Sequence, residues 1–335
     1  MAAAEDMRAV IVSEYGDWRK ARLDRAPCPK PAPHEVLIRT EAAALNFPDL
    51  LMIEGKYQVK PELPFVPGRD VAGTVVEIGA DVSGLKPGDR VAAQPQYGAF
   101  AEYAVAPDWT CVLIPDGVGF AEAAASGTVV ATVVGAMKLR AQLKPGGWVL
   151  MTGAAGGVGS AGIQYARHLG ARVVALVSSD EKEAAARRLG AEIVLRSDRL
   201  DTSRNAMKDA LVAAGLKAVD AVVDVVGGDA FEGAIRCLKP AGRYVIVGFA
   251  SGIIPQIPAN YVLVKDLIVL GSTLDRLFKL RDPELLDGIR DAFQALAAGT
   301  MEAEIDSVVP FAAFTDGAGR IADRKAVGKI VLQGF

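Results

Sequence analysis

The chain has 335 residues, of which 51% are hydrophobic and 23% are charged, and its formal net charge is −3. This composition excludes a wholly disordered chain, and the length is typical of two domains. Because 40 acidic residues nearly balance 37 basic ones, neither a nucleic acid nor a membrane surface is expected as a partner.

Signals for targeting, disulfides and metals are sparse. The first residues include Glu5 and Asp6, which are untypical of a signal peptide, and no apolar stretch approaches the ~20 residues of a membrane helix. Three widely spaced cysteines fit the reducing cytoplasm and exclude a disulfide framework. With only two histidines besides, the sequence predicts no metal site. The cysteines are Cys28, Cys111 and Cys237.

The N-terminal third alternates short β-rich runs with turns that contain glycine and proline. Residues 36–39 and 72–78 are the clearest runs, and Pro67-Gly68 and residues 86–89 are typical turns. Many short strands with such turns predict a barrel-like β domain.

After Gly119 the pattern changes to apolar runs that alternate with amphipathic helical stretches. Strands that are apolar throughout and alternate with helices predict a doubly wound parallel sheet of the α/β class. The predicted strands are residues 148–152, 172–177, 192–195, 221–226 and 243–247, and the predicted helices end near Leu169 and run over 180–189.

The C-terminal part is mixed. Leu267–Gly271 is a further apolar run, residues 283–298 form a predicted helix, and residues 329–332 form the last predicted strand.

A glycine-rich loop lies between the predicted strand at 148–152 and the helix that follows. Glycines allow a tight turn and let a pyrophosphate approach the N–H groups at the start of a helix. This strand–loop–helix context favours dinucleotide binding over an ordinary turn. The candidate residues are Gly153, Ala155, Gly156, Gly157, Val158 and Gly159.

The end of the next strand separates NAD from NADP, because an acidic residue there would repel a 2′-phosphate. This position holds Ser178 and Ser179. Lys182 and Arg196 lie close enough in sequence to bind the phosphate, and both are also compatible with solvated surface positions. We therefore expect Ser178, Lys182 and Arg196 to bind NADPH.

Several motifs, in their order along the chain, resemble the zinc-independent medium-chain dehydrogenases/reductases, and specifically the NADPH:quinone oxidoreductase family. The motifs are residues 44–49, 67–73, 88–91, 101–103, 153–159, 224–228 and 247–252. The resemblance implies a GroES-like catalytic domain at residues 1–125 and 263–335, with a Rossmann NADP-binding domain inserted at 126–262. In zinc-dependent relatives a cysteine and a histidine would stand at Asn46 and Arg69, so the resemblance also implies metal-independent chemistry.

The resemblance implies roles for further residues. Asn46 would orient the substrate or cofactor, although it is also a typical turn residue, and Tyr57 would line the substrate pocket and serve as a candidate proton donor or as an aromatic anchor. The remaining expected cofactor contacts are Thr132, Val226, Gly248, Phe249, Ser251 and Lys329.

The sequence thus predicts hydride transfer from NADPH to a quinone or enone. Two alternatives stay open: an enoyl-CoA or acryloyl-CoA reductase, for which Arg69, Lys56 and Lys60 are the candidate CoA-phosphate contacts, and a non-catalytic NADPH-binding protein. A homodimer is expected through the edge of the Rossmann sheet, with residues 267–273 as the edge strand.

Overall fold

The chain forms two structural units, each built on its own β-sheet, in a computed structural model that describes residues 5–200 and 205–335. Unit 1 comprises Met1–Thr128 and Ala303–Phe335, and unit 2 comprises Val129–Glu302.

The described strands and helices are numbered in chain order. The strands are β1 (Asp6–Ile11), β2 (Arg22–Pro27), β3 (Glu35–Leu45), β4 (Asp70–Ile78), β5 (Arg90–Ala93), β6 (Tyr103–Pro107), β7 (Cys111–Leu113), β8 (Trp148–Thr152), β9 (Arg172–Val177), β10 (Ile193–Arg196), β11 (Val219–Asp224), β12 (Leu238–Ile246), β13 (Ile268–Gly271), β14 (Ile305–Val309) and β15 (Lys329–Leu332). The α-helices are α1 (Phe47–Ile53), α2 (Phe120–Val133), α3 (Gly157–His168), α4 (Asp180–Arg188), α5 (Ala206–Ala213), α6 (Asp229–Arg236), α7 (Ala259–Lys265), α8 (Leu274–Lys279), α9 (Pro283–Ala297) and α10 (Phe314–Ala322).

Unit 1 contains a largely antiparallel sheet in the order β14-β15-β3-β4-β5-β7, in which β6 also pairs with β3. The long strand β3 joins partners from distant parts of the chain, because its C-terminal half pairs with β15 and its N-terminal half pairs with β6. Alternating apolar side chains of these strands pack with those of α1 and α10 into one core. The N- and C-terminal parts of the chain therefore share a single unit, as the resemblance implies.

Unit 2 is a parallel sheet in the order β10-β9-β8-β11-β12-β13. Its central strands are buried along almost their whole length, which explains their continuous valine and leucine content. Helix α4 begins where the Ser179 hydroxyl accepts a hydrogen bond from the Lys182 amide at 3.2 Å, a typical N-cap.

The structure places the last domain boundary later than the sequence predicted. Residues 263–302, which the resemblance assigns to the catalytic domain, belong to unit 2, because β13 pairs in parallel with β12. Helix α9 belongs to the same unit, so the chain returns to unit 1 only at Ala303.

One helical stretch is longer and more apolar than the sequence analysis allowed. Helix α2 continues as a π-helix over Val134–Arg140, and an 18-residue window of the combined 21 residues has a mean hydropathy of 1.4. Length and composition alone would let this helix cross a membrane. However, 78% of its apolar window is buried inside the structure, which is typical of a core helix, so it is weak evidence for a membrane span.

A buried carboxylate joins three strands of unit 2 at their carboxyl ends. Asp224, at the end of β11, accepts hydrogen bonds from the Thr152 hydroxyl at 2.6 Å and from the Tyr244 hydroxyl at 2.7 Å. The backbone amides of Val226 and Gly227 donate to the same carboxylate at 2.9 and 3.0 Å. Burial raises the pKa of Tyr244 well above its usual value, so the hydroxyl keeps its proton and acts as a donor.

The Tyr244 hydroxyl should contribute measurably to stability. Because Tyr244 is fully buried, Tyr244→Phe removes a donor to a buried charge and should lower the free energy of unfolding by about 1–3 kcal/mol. Urea denaturation of the wild type and the variant measures this difference.

Tyr97→Phe is the matched control, because Tyr97 is 41% exposed and its hydroxyl loss should change stability by less than about 0.5 kcal/mol. Equal effects of the two substitutions would contradict a structural role for the Tyr244 hydroxyl.

Candidate functional site

The strand order of unit 2 reverses at the carboxyl ends of β8 and β11, and the place between the loops that follow these strands is called the crevice below. Strands β9 and β10 follow β8 on one side, whereas β11 begins the other side. Such a switch point is where open parallel sheets bind ligands. Three segments follow these strand ends: residues 153–159 after β8, residues 225–228 after β11 and residues 247–253 after β12.

The loop after β8 has the geometry of a phosphate cradle. Gly153 has a φ of 59°, a left-handed conformation that favours glycine. A Cβ on Gly159 would lie 2.2 Å from the Gly153 carbonyl oxygen, so only glycine allows this close packing. At Gly156, in contrast, a Cβ would meet a single atom, the Gly153 carbonyl oxygen, at the ordinary contact distance of 3.5 Å, so little obstructs the space beside this residue.

The start of α3 supplies the hydrogen-bond donors of this cradle. The first bond of the helix runs from the Ser160 amide to the Gly156 carbonyl, so the amides of Gly157, Val158 and Gly159 have no acceptor within the helix. Free amides and the helix dipole favour an anion at this position. The open space and the donors therefore fit the pyrophosphate of a dinucleotide.

The two other loops of the crevice are bonded to each other. The Ser251 amide donates to the Val226 carbonyl at 2.9 Å, and the Gly228 amide donates to the Ile253 carbonyl at 3.1 Å. A Cβ on Gly153 would lie 3.0 Å from the Val226 side chain. The structure thus brings Val226 and Ser251 close to the glycine loop, although their contact with a cofactor stays a prediction.

The carboxyl end of β9 presents hydroxyl groups and a lysine. The Lys182 ammonium donates to the Ser178 hydroxyl at 3.3 Å. Ser178 follows β9 directly, at the position where an acidic residue would contact a ribose hydroxyl. This pair is therefore compatible with a 2′-phosphate.

Arg196, in contrast, is enclosed by acidic side chains. It donates to Asp198 through Nε at 2.9 Å and Nη2 at 2.7 Å, and to Asp180 and Glu183 through Nη1 at 2.5 and 3.1 Å. Only 8% of its side chain is exposed. Because four of its five N–H donors are engaged, this geometry does not support the prediction that Arg196 binds the cofactor phosphate directly.

Unit 1 contains a buried polar cluster around Asn46. The Asn46 amide nitrogen donates to Asp70 at 2.9 Å, and the Lys329 ammonium donates to the Asn46 amide oxygen at 2.6 Å. Lys329 also donates to the Leu45 carbonyl at 2.8 Å and to Asp70 at 3.3 Å, so its three N–H groups all have acceptors. The prediction that Lys329 reaches the cofactor is therefore not supported, because the ammonium group is used to hold Asn46.

Asp49 lies beside this cluster and carries an incompletely bonded carboxyl group. Its Oδ2 atom accepts a hydrogen bond from the Asn46 backbone amide at 2.7 Å, whereas its Oδ1 atom is buried with no hydrogen-bond partner. Burial raises the pKa of Asp49 to about 7, although the Asn46 amide and the charge of Lys329 act in the opposite direction.

Tyr57 and Arg69 form a second polar pair in unit 1. The Arg69 guanidinium donates to the Tyr57 hydroxyl oxygen at 2.8 Å. Arg69 is only 8% exposed, and Lys56 forms an ion pair with Glu54 at 2.9 Å. Two of the three basic residues considered for CoA phosphate therefore have other partners.

The remaining predicted site residues are distributed over unit 2. Gly248 and Phe249 lie after β12, in the segment bonded to residues 225–228, and Thr132 is largely buried within α2. Their roles toward a cofactor stay predictions.

Sequence reasoning missed three groups that organise these sites. The motif at residues 224–228 includes Asp224 but does not show its partners, and an isolated tyrosine in a strand, such as Tyr244, carries no signal of its partner. Asp49 was visible as the residue three positions after Asn46, the spacing of a capping box. Its burial follows only from the packing of α1.

Comparisons with known proteins agree on a single family. The family model described as the alcohol dehydrogenase GroES-like domain matches residues 32–116, and the model described as the zinc-binding dehydrogenase matches residues 157–287. The quinone oxidoreductase-like protein 2 of Bos taurus is 37% identical over 309 residues, which cover 91% of this chain and 86% of the relative.

Solved structures give the same result. A mycobacterial protein complexed with NADPH has a TM-score of 0.89 and 30% identity, with 98% of this chain and 99% of that chain covered. The quinone oxidoreductase of Pseudomonas syringae pv. Tomato has a TM-score of 0.88, 30% identity and the same coverage. The predicted combination of a GroES-like domain and a Rossmann domain is therefore confirmed.

The residues of unit 1 do not fit zinc, although one matching family model is described by that metal. The positions at which zinc-dependent relatives would carry a thiolate and an imidazole hold the amide of Asn46 and the guanidinium of Arg69. The Lys329 ammonium, 2.6 Å from the Asn46 amide oxygen, places a second positive charge there. Zinc requires thiolate, imidazole or carboxylate donors that converge on one point, and residues 5–200 and 205–335 contain no group of three such side chains placed to hold a metal ion.

The buried Asp49 should make stability depend on pH. Because its pKa is about 7 in the folded chain and about 4 in the unfolded chain, the unfolded chain loses this proton first as the pH rises. The free energy of unfolding should therefore fall by about 2–3 kcal/mol between pH 5 and pH 8 relative to Asp49→Asn. Urea denaturation at several pH values measures this difference.

Asp209→Asn is the control, since Asp209 lies on the exposed side of α5. Its free energy of unfolding should fall with pH as steeply as that of the wild type. If the free energy of unfolding fell equally with pH in Asp49→Asn and in the wild type, Asp49 would not be the group that causes the pH dependence.

Proposed function

This chain belongs to the quinone oxidoreductase family of the medium-chain dehydrogenases/reductases, and we propose that it transfers hydride from NADPH to a quinone or an activated alkene without a metal ion. It is an oxidoreductase whose Rossmann-type unit binds a nicotinamide cofactor. The proposal adds that this cofactor is NADPH rather than NADH, and that the hydride acceptor is a quinone or an activated alkene.

One observation carries the proposal: two features lie at the carboxyl ends of neighbouring strands of unit 2. The loop after β8 can hold an anion, and Lys182 lies near the end of β9, where NADP is distinguished from NAD. The open space at Gly156 and the amides of α3 would hold the pyrophosphate. Lys182 and Ser178 would contact the 2′-phosphate, which an acidic residue at this position would repel. The mycobacterial relative was solved in complex with NADPH, which supports NADPH as the cofactor.

The bound nicotinamide would supply the hydride, and reduction of a quinone then needs one further proton on the second oxygen. Tyr57 is the proposed donor. Because Arg69 donates to the Tyr57 oxygen at 2.8 Å, its positive charge would stabilise the phenolate left after the proton has moved. Asn46, held at both ends of its amide by Lys329 and Asp70, would serve as a fixed polar group for orientation.

A panel of acceptors tests the proposal. NADPH oxidation is followed by absorbance with 1,4-benzoquinone and with crotonyl-CoA, with and without 1,10-phenanthroline. We expect turnover with benzoquinone that the chelator leaves unchanged. Tyr57→Phe should lower turnover at least about tenfold while the Kd for NADPH stays constant, and Tyr97→Phe should alter neither.

The other outcomes identify the alternatives. Turnover only with crotonyl-CoA would favour an enoyl-CoA reductase, and tight NADPH binding without turnover would favour a non-catalytic binding protein. Loss of activity with the chelator would overturn the metal-independent mechanism.

We further propose that the chain forms a homodimer through β13 and acts in the cytoplasm. The location rests on the three cysteines, which are free thiols. Strand β13 ends the sheet of unit 2, and helix α7, which precedes it in the chain, carries exposed apolar side chains, with Leu263 and Val264 both 82% exposed. A second copy paired along β13 would continue the ladder and cover this apolar surface.

Light scattering tests the assembly. We expect twice the 35.1 kDa mass of one chain. The double variant Leu263→Asp and Val264→Asp should shift the protein to the monomer, because it places charges in the apolar interface. Leu113→Asp, at a position 52% exposed in unit 1, is the control, and a monomeric wild type would refute the proposal.

A further inference from the structure

Arg196 stands beside the cofactor-selecting end of the sheet but faces away from solvent. It is the last residue of β10 and pairs with Val177, the last residue of β9. Ser178 follows Val177 in the chain. The guanidinium therefore lies next to the strand end at which a 2′-phosphate would be selected.

The acidic residues bonded to Arg196 come from the same strand ends. Asp180 and Glu183 lie in α4 on either side of Lys182, and Asp198 follows β10. Asp180 is 80% exposed and also accepts a hydrogen bond from Arg199 at 2.7 Å. Glu183 also accepts from Arg187, at 2.8 Å.

The charges of this cluster balance among the described residues. Three carboxylates, those of Asp180, Glu183 and Asp198, are bonded to three guanidinium groups. Arg196 is the group that contacts all three carboxylates. Without it, the cluster would carry one uncompensated negative charge, because only Arg187 and Arg199 would still pair with these carboxylates.

We propose that Arg196 is a specificity-determining residue that favours NADPH over NADH by neutralising these carboxylates, rather than by touching the cofactor. The inference rests on the proposed use of NADPH. Its physical basis is Coulombic: carboxylates near a phosphate that carries almost two negative charges weaken its binding, whereas NADH lacks this phosphate and is little affected.

The test compares two binding constants in four proteins. The Kd values for NADPH and NADH are measured by fluorescence titration at low salt for the wild type, Arg196→Met, the control Arg172→Met and a combined variant. Arg172 forms a similar ion pair with Glu192, at 2.6 Å, but at the opposite end of the same strands. The combined variant adds Asp180→Asn, Glu183→Gln and Asp198→Asn to Arg196→Met.

We expect Arg196→Met to raise the Kd for NADPH about tenfold and to leave that for NADH within about twofold. The combined variant should recover the wild-type ratio of the Kd for NADPH to the Kd for NADH, because the repelling carboxylates are gone. High salt should reduce the effect of Arg196→Met, and Arg172→Met should leave the ratio unchanged.

Two results would overturn the inference. The first is an Arg196→Met variant whose ratio of the Kd for NADPH to the Kd for NADH equals that of the wild type. The second is a combined variant that binds NADPH as weakly as Arg196→Met, which would indicate direct contact between Arg196 and the phosphate. A wild type that does not prefer NADPH would instead refute the proposed cofactor.

Asp180→Asn in the wild-type background provides a second test that does not depend on the folding of Arg196→Met. Because Asp180 is 80% exposed, this substitution leaves the buried part of the cluster in place. It should lower the Kd for NADPH about threefold and leave that for NADH unchanged, and an unchanged Kd for NADPH would also contradict the inference.

Discussion

The nucleotide crevice depends on one buried carboxylate, that of Asp224. A buried charge must be surrounded by donors, and here the donors are the hydroxyls of Thr152 and Tyr244 together with the amides that follow β11. These donors belong to β8, to β12 and to the loop at residues 225–228. The carboxylate therefore fixes the three strand ends whose loops form the crevice, and it ties the glycine loop to the segment that bears Phe249.

The two units use buried charge in different ways. In unit 2, Asp224 and Arg196 have most of their hydrogen-bonding groups satisfied, so they hold neighbouring strand ends and loops together. In unit 1, Asp70 is bonded to Lys329, Asn46 and the Thr128 amide, while Asp49 retains a carboxyl oxygen without a partner. Asp224 and Arg196 therefore position the backbone around them. Asp49 instead lowers stability, by an amount that depends on whether its carboxyl group is protonated.

The sequence predicted the strands that a short run of residues defines by itself. It did not predict the features that depend on contacts with residues far away in the chain. Strands β9 and β15 were predicted with the observed bounds, because short valine- and leucine-rich runs between turns define them. The assignment of β13 to a unit depends on its pairing with β12, which the run itself does not encode. Lys329 is the clearest case: the sequence shows a lysine at the start of a strand, but its acceptor at Leu45 lies 284 residues away. For Arg196 the nearby acidic residues were visible, but the burial of its guanidinium depends on the packing of α4 against β10.

The position of the Lys329 ammonium has a consequence for the evolution and redesign of this fold. Installing a thiolate at position 46 and an imidazole at position 69 would copy the metal ligands of the zinc relatives, yet the lysine would remain within hydrogen-bonding distance of position 46. A divalent cation brought to that place would be repelled by the ammonium group already there. Recovery of a metalloenzyme from this scaffold would therefore require a change on the last strand of the chain, far from both ligand positions in sequence.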